Sequence, residues 1–71
     1  MTTQDYMPNH PLEISELKDS DIGRQVTFVH HHGEREFGVL SSWNNKWIFV
    51  RFGMGDTAAA CDPQQLCWSN P

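Results

Sequence analysis

The stretch FGVLSSWNNKWIFVRF, Phe37 to Phe52, contains two strand-like apolar runs that meet at Asn44-Asn45. Asparagine tolerates positive φ better than most residues, so this pair suits a two-residue turn of the primed type. The stretch therefore predicts a β-hairpin with one strand over about Glu36–Trp43 and the next over about Lys46–Phe52. The second strand is apolar on both faces, which is typical of a central strand in a small curled barrel.

Further strand signals flank the hairpin on both sides. Alternating residues predict a strand over about Arg24–His30, and the small residues of Thr57–Cys61 predict another. Asp62-Pro63 is a start signal for one helical or 3₁₀ turn, after which Cys67-Trp68 can close the sheet. We therefore predict a mainly β fold, a small SH3-like barrel of four or five antiparallel strands with a 3₁₀ turn before the last strand.

The first part of the chain differs in composition from the rest. Two prolines and few large apolar residues in 1–15 leave little to offset the entropy of ordering. Ser15–Asp21 is short and polar, and we expect it to form at most one helical turn with Ser15 as N-cap. We predict a flexible acidic tail over residues 1–21 and the barrel over 22–71. The sequence leaves open whether the tail packs on the barrel.

Length and charge limit the classes of function. The chain has 71 residues, enough for one small domain, and a formal net charge of −4. Residues 1–23 sum to −4, residues 24–55 to +2 and residues 56–71 to −2. Net acidity weakens long-range attraction to nucleic acid. Because we find neither a secretion signal nor an apolar run of about 20 residues, we expect a cytoplasmic protein that does not enter the membrane.

The residues able to carry chemistry do not form a recognisable site. His30-His31-His32 precedes Gly33 and is expected at a strand end or in a loop, where adjacent imidazoles do not converge on a metal. Cys61 and Cys67 lack the C-x-x-C spacing and have apolar neighbours, as buried free thiols do. A disulfide is disfavoured in a reducing cytosol. We therefore predict no enzyme activity, no cofactor and no metal.

Aromatic residues near the hairpin are the strongest candidates for a binding surface. If the Ile48 face of the third strand fills the barrel, Trp47 and Phe49 point outward. Such side chains can pack against the tail, bind a partner protein or stack on nucleic-acid bases. The predicted partner-binding residues are Trp43, Lys46, Trp47, Phe49 and Arg51.

Several segments together resemble a known group of proteins. They are Ile22-Gly23-Arg24-x-Val26, the hairpin containing Ser42-Trp43-Asn44-Asn45, and Asp62-Pro63-x-x-Leu66. The pattern is similar to small phage and prophage proteins of unknown function, which have the form G-x-x-V … S-W-N-D-x-x-V-F-V … P-x-D-L. Asn45 and Gln65 replace acids of that pattern at turn positions. The resemblance covers about residues 22–68 and implies an SH3-like fold and an accessory viral role in a bacterial host.

Three functional hypotheses follow. The first is a non-enzymatic binding module that engages a host or viral protein through an aromatic face or a sheet edge. The second is a barrel that binds single-stranded nucleic acid, which the net charge disfavours. The third is an acidic inhibitor that imitates phosphates with Asp5, Glu13, Glu16, Asp19 and Asp21. A homodimer formed through an edge strand or the tryptophan face is a further alternative.

Overall fold

The computed structural model describes residues 10–53, 55 and 57–69, and our predictions for the remaining positions lie outside this range. Within it, five antiparallel strands form one sheet in the order β4-β3-β2-β1-β5. The strands are β1 Gln25–Val29, β2 Arg35–Trp43, β3 Ile48–Phe52, β4 Ala58–Cys61 and β5 Leu66–Trp68. A 3₁₀ turn, Pro63–Gln65, precedes β5. The predicted SH3-like barrel is therefore confirmed.

The core lies on one side of the sheet, which we call the inner face. Its fully buried side chains come from β1, β2, β3 and β5, and none is more than 1% exposed. The alternation of side chains along a strand explains why these positions recur every second residue. The fully buried residues are Val26, Leu40, Ile48, Val50 and Leu66.

Two features of β2 allow the sheet to bend around this core. The pairing of β2 with β3 shifts between Leu40 and Ser42, and such a bulge increases local twist. Gly38 pairs with Phe52 of β3, and a Cβ at Gly38 would lie only 2.5 Å from Cγ1 of Val50 and 2.9 Å from the carbonyl oxygen of Arg51. Only glycine permits the strands to approach this closely.

The hairpin turn differs from the predicted one. No described residue other than glycine has positive φ, so Asn44-Asn45 does not form a primed turn. Instead, the Oδ1 atom of Asn44 accepts hydrogen bonds from the N–H groups of Lys46 and Trp47, at 2.8 and 2.7 Å. This side chain stabilises a longer turn, so β3 begins at Ile48 and the predicted strand residues Lys46 and Trp47 lie in the turn.

Residues 12–21, which we name the strap, lie against the barrel. Leu12 is 6% exposed within the core cluster, and its N–H donates to the carbonyl oxygen of Leu66 at 2.9 Å. Ile14 and Leu17 pack against the same cluster. The sequence left open whether the tail packs on the barrel, and in this stretch the three apolar side chains do pack against it.

The strap contains two short 3₁₀ turns rather than one helical turn. They span Ile14–Glu16 and Asp19–Asp21. Glu13 and Lys18 precede them, so Ser15 is not the N-cap that we predicted. The second turn brings Asp21 next to Arg24 at the start of the barrel.

Candidate binding surface

The side of the sheet opposite the core, which we call the outer face, carries a row of apolar and basic side chains. Strand pairing defines it: Val39 of β2 lies directly opposite Arg51 of β3, and Phe49 lies opposite Ser42 and Ala60. Phe37 precedes Val39 by two residues and therefore shares its side of the sheet. The apolar and basic residues on the outer face of β2 and β3 are Arg35, Phe37, Val39, Phe49 and Arg51.

Several of these apolar side chains reach solvent. Phe37 is 63% exposed and Val39 36% exposed, while Phe49 is half-buried. Trp47, in the turn just before β3, is 38% exposed. The neighbouring strand β4 has only alanines, Ala58 and Ala60, opposite Arg51 and Phe49. These small side chains leave the row uncovered.

The structure separates one predicted binding residue from the other four. Phe49 and Arg51 share the outer face, and Lys46 and Trp47 lie in the turn at its end. Trp43 pairs with Ile48, is half-buried, and packs against the core cluster. It therefore belongs to the inner face, because the bulge after Leu40 changes which residues of β2 point inward.

Sequence reasoning missed Phe37 and Val39 as surface residues. The signal was present, since they alternate with Gly38 and Leu40, which are both buried. An apolar residue between two inward-facing positions must point outward.

Basic groups accompany the exposed apolar side chains. Arg35 and Arg51 are exposed on β2 and β3, and the Nζ atom of Lys46 lies 5.7 Å from the centroid of the Trp47 ring. The ion pairs among the described residues join Arg24 to Asp21 and His30 to Glu36. Neither involves a base of the outer face or of its turn, so these charges are open to a ligand.

A second concave region lies between the strap and β5. It is a cleft of about 320 Å³, and its lining includes Glu16, Arg24 and Trp68. The guanidinium of Arg24 stacks over the Trp68 ring, 3.8 Å from the centroid, and donates to Oδ1 of Asp21 at 3.0 Å. The polar groups at the centre of this cleft are therefore paired with each other.

The Asp21 carboxylate is held inside this arrangement. Its Oδ2 atom accepts a hydrogen bond from the N–H of Lys18 at 3.0 Å. This bond, followed by the bond from Arg24, keeps the pKa of Asp21 below its usual value. Asp21 is one of the five acids that could imitate phosphates, and its pairing with Arg24 reduces the acidic surface available for that role.

The histidines and cysteines do not assemble into a reactive centre within the described part of the chain. His30 contacts Oε1 of Glu36 through Nε2 at 3.2 Å and packs edge-on against Phe28. No group of three or more potential metal ligands occurs among the described residues. Cys61 and Cys67 are free thiols, the first buried and the second half-buried.

The Cys61 thiol is poorly suited to nucleophilic chemistry. Burial, and to a lesser extent the charge of Glu36, raises its pKa to about 11. Thiols react as thiolates, and a pKa this high keeps the group protonated near neutral pH. Cys61 is therefore not an activated nucleophile.

Comparison with known proteins gives no further assignment. No protein-family model matches the chain, and neither a curated protein nor a solved structure shows significant similarity to it. Within the described residues, no helix has the length and apolarity needed to cross a membrane.

Proposed function

We propose that the chain is a non-enzymatic binding module that engages a protein partner through its outer face. The observation that carries this proposal is the exposure of Phe37, Val39 and Trp47 on a barrel whose core is closed without them. Tryptophan and arginine are enriched among the residues that dominate binding energy. Trp47 and Arg51 are thus suited to serve as anchors at this face.

The rigidity of the surface supports the same reading. Phe37, Val39 and Arg51 project from paired strands, and a strand scaffold loses little conformational freedom when a partner binds. An enzyme active site would need a pocket with convergent polar groups, whereas the outer face is a flat row of side chains. As part of this proposal we place the protein in the bacterial cytoplasm, as a phage or prophage accessory protein.

Single-stranded nucleic acid is the alternative ligand of this face. The position of Lys46 beside Trp47 favours it, because a base can stack on an indole while a lysine holds the phosphate. The net charge of −4 opposes it. Binding to oligothymidylate that weakens steeply with salt would favour this alternative over a protein partner.

Capture from bacterial lysate tests the proposal. The wild-type chain, immobilised at its C-terminus, is compared with the double variant Phe37→Ser/Trp47→Ser. The matched control is Ile22→Ser, which removes another exposed apolar side chain, 50% exposed and remote from β3 in the sequence. We expect one or a few proteins to bind the wild type and Ile22→Ser and to be lost from the double variant.

Equal capture by the double variant would contradict the proposal. Circular dichroism spectra of all three proteins must agree, since all three substitutions lie at exposed positions. Nuclease treatment of the lysate distinguishes a direct protein partner from one held through nucleic acid.

A further inference from the structure

We infer that the partner presents an extended acidic segment to the outer face. This inference rests on the proposed function and specifies the chemistry of the partner. It starts from the distribution of charge, because the described outer face of β2 and β3 carries Arg35 and Arg51 and no acid. Lys46 adds a third base at the turn.

The positive charge of the outer face contrasts with the net negative charge of the whole chain. The whole chain has a net charge of −4, and the strap exposes Glu13, Glu16 and Asp19. The bases of the outer face have no ion-pair partner among the described residues. Opposite charges on a partner would gain attraction here and would be repelled by the strap, which fixes where the partner docks.

Each base also stands next to an exposed apolar side chain. Arg51 is directly opposite Val39, Arg35 is two residues before Phe37, and Lys46 lies beside Trp47. β2 has nine residues, so the row extends over about 30 Å. A segment of about eight extended residues has this length. Such a segment can place carboxylates at the bases and apolar side chains at Val39 and Phe37.

A peptide suits this surface better than a nucleic acid. Nucleic-acid affinity grows with the number of phosphates that are neutralised, and three separated bases neutralise few. The centre of the row is Val39, whose cross-strand neighbours are Arg51 and Gln25, so no aromatic ring is available for base stacking at this position. The aliphatic centre instead fits an apolar side chain of a peptide.

A titration monitored by NMR on the ¹⁵N-labelled full chain tests the inference. The probe is a blocked octapeptide in which Glu-Asp pairs are separated by Phe and Leu. The control peptide replaces every Glu with Gln and every Asp with Asn, and oligothymidylate of eight nucleotides is the third ligand. We expect shifts at Phe37, Val39 and Arg51 with the acidic peptide, and an affinity about tenfold above that for the control peptide.

Charge variants localise the effect. Arg35→Gln/Arg51→Gln should lower affinity for the acidic peptide by about tenfold. A higher salt concentration should likewise lower the affinity of the wild type for this peptide. Lys18→Gln removes an exposed base from the strap and should leave the affinity unchanged. Both variants replace exposed side chains, and their ¹⁵N spectra report whether they fold.

The outcomes separate this inference from the proposed function. Equal affinity for the two peptides, or no response to the acidic one, would overturn the inference that the partner presents an acidic segment. The proposed binding function would still be decided by the lysate capture. Tighter binding of oligothymidylate than of the acidic peptide at the same residues overturns the inference and favours the nucleic-acid alternative.

Discussion

Arg24 stacks its guanidinium over the indole ring of Trp68, with Cζ 3.8 Å from the ring centroid. The same guanidinium donates to the carboxylate of Asp21 at 3.0 Å. Arg24 thus joins the end of the strap to the last strand of the barrel. Because Val26 pairs with Trp68, this contact lies beside the pairing of β1 with β5.

Replacing Arg24 with Gln should lower the free energy of unfolding by about 1 kcal/mol, because the cation–π contact with Trp68 and the ion pair with Asp21 are both lost. Urea unfolding followed by tryptophan fluorescence measures the change. Arg35→Gln is the matched control, since Arg35 is exposed and makes no ion pair among the described residues. A similar loss in both variants would show that the stacking contributes nothing specific.

The Asp21 carboxylate predicts a pH dependence of stability. Its pKa is lower in the folded protein than the ordinary value of 3.8, first because the N–H of Lys18 donates to it and then because Arg24 does. Between the folded and unfolded pKa values, the unfolded chain binds more protons, so stability falls as the pH falls. The contribution is fully present well above the ordinary value of 3.8 and is lost progressively as the pH falls through the lower pKa of the folded protein.

Asp21→Asn should therefore be less stable than the wild type at pH 7, with a difference that narrows as the pH falls below 4. Urea unfolding at pH 7, 5, 4 and 3 measures this difference. Asp19→Asn makes the same change in net charge at an exposed position and serves as the control. If the difference in free energy of unfolding between Asp21→Asn and the wild type stayed constant across this pH range, the lowered pKa of Asp21 would be contradicted.

The strands were predictable from sequence because the period of two is a local signal. Each predicted strand ends within two residues of its position in the structure. The hairpin turn was not predictable in the same way: the Asn44 side chain accepts hydrogen bonds from the N–H groups of Lys46 and Trp47, and no positive φ of the kind that the residue type suggested occurs there. Residue preference indicated a turn but did not distinguish between two ways of making one.

The sequence left the packing of the strap open because its stabilising contact is distant in sequence. Leu12 stands between a proline and an acid, and it is buried by a core cluster whose members, such as Leu66, are far away in the sequence. The candidate surface was predicted correctly in β3 but not in β2. The alternation of β3 correctly put Phe49 and Arg51 on one side, whereas the bulge after Leu40 moved Trp43 to the other. No local pattern marks that bulge.

The strap contact gives a prediction about the core. Leu12→Ala should lower the free energy of unfolding by about 2 kcal/mol or more, because truncating a buried leucine loses transfer energy and leaves a cavity. Leu12→Met keeps the volume and should lose less than about 1.5 kcal/mol. Urea unfolding compares the two. A loss under about 0.5 kcal/mol for Leu12→Ala would mean that the strap does not contribute to the folded barrel.

Cys61 and Cys67 should differ in their rate of alkylation. Cys61 is buried opposite Ile48, and with a pKa of about 11 only about one thiol in a thousand is ionised at pH 8. Cys67 is half-buried and so more accessible to reagent. Iodoacetamide at pH 8, followed by peptide mass spectrometry, should label Cys67 first, with Cys61 labelled rapidly only in urea. In the Cys67→Ser variant Cys61 is the remaining thiol, so its rate of alkylation can be measured alone. Rapid labelling of Cys61 in the native Cys67→Ser protein would show that β4 separates readily from β3 and exposes the inner face.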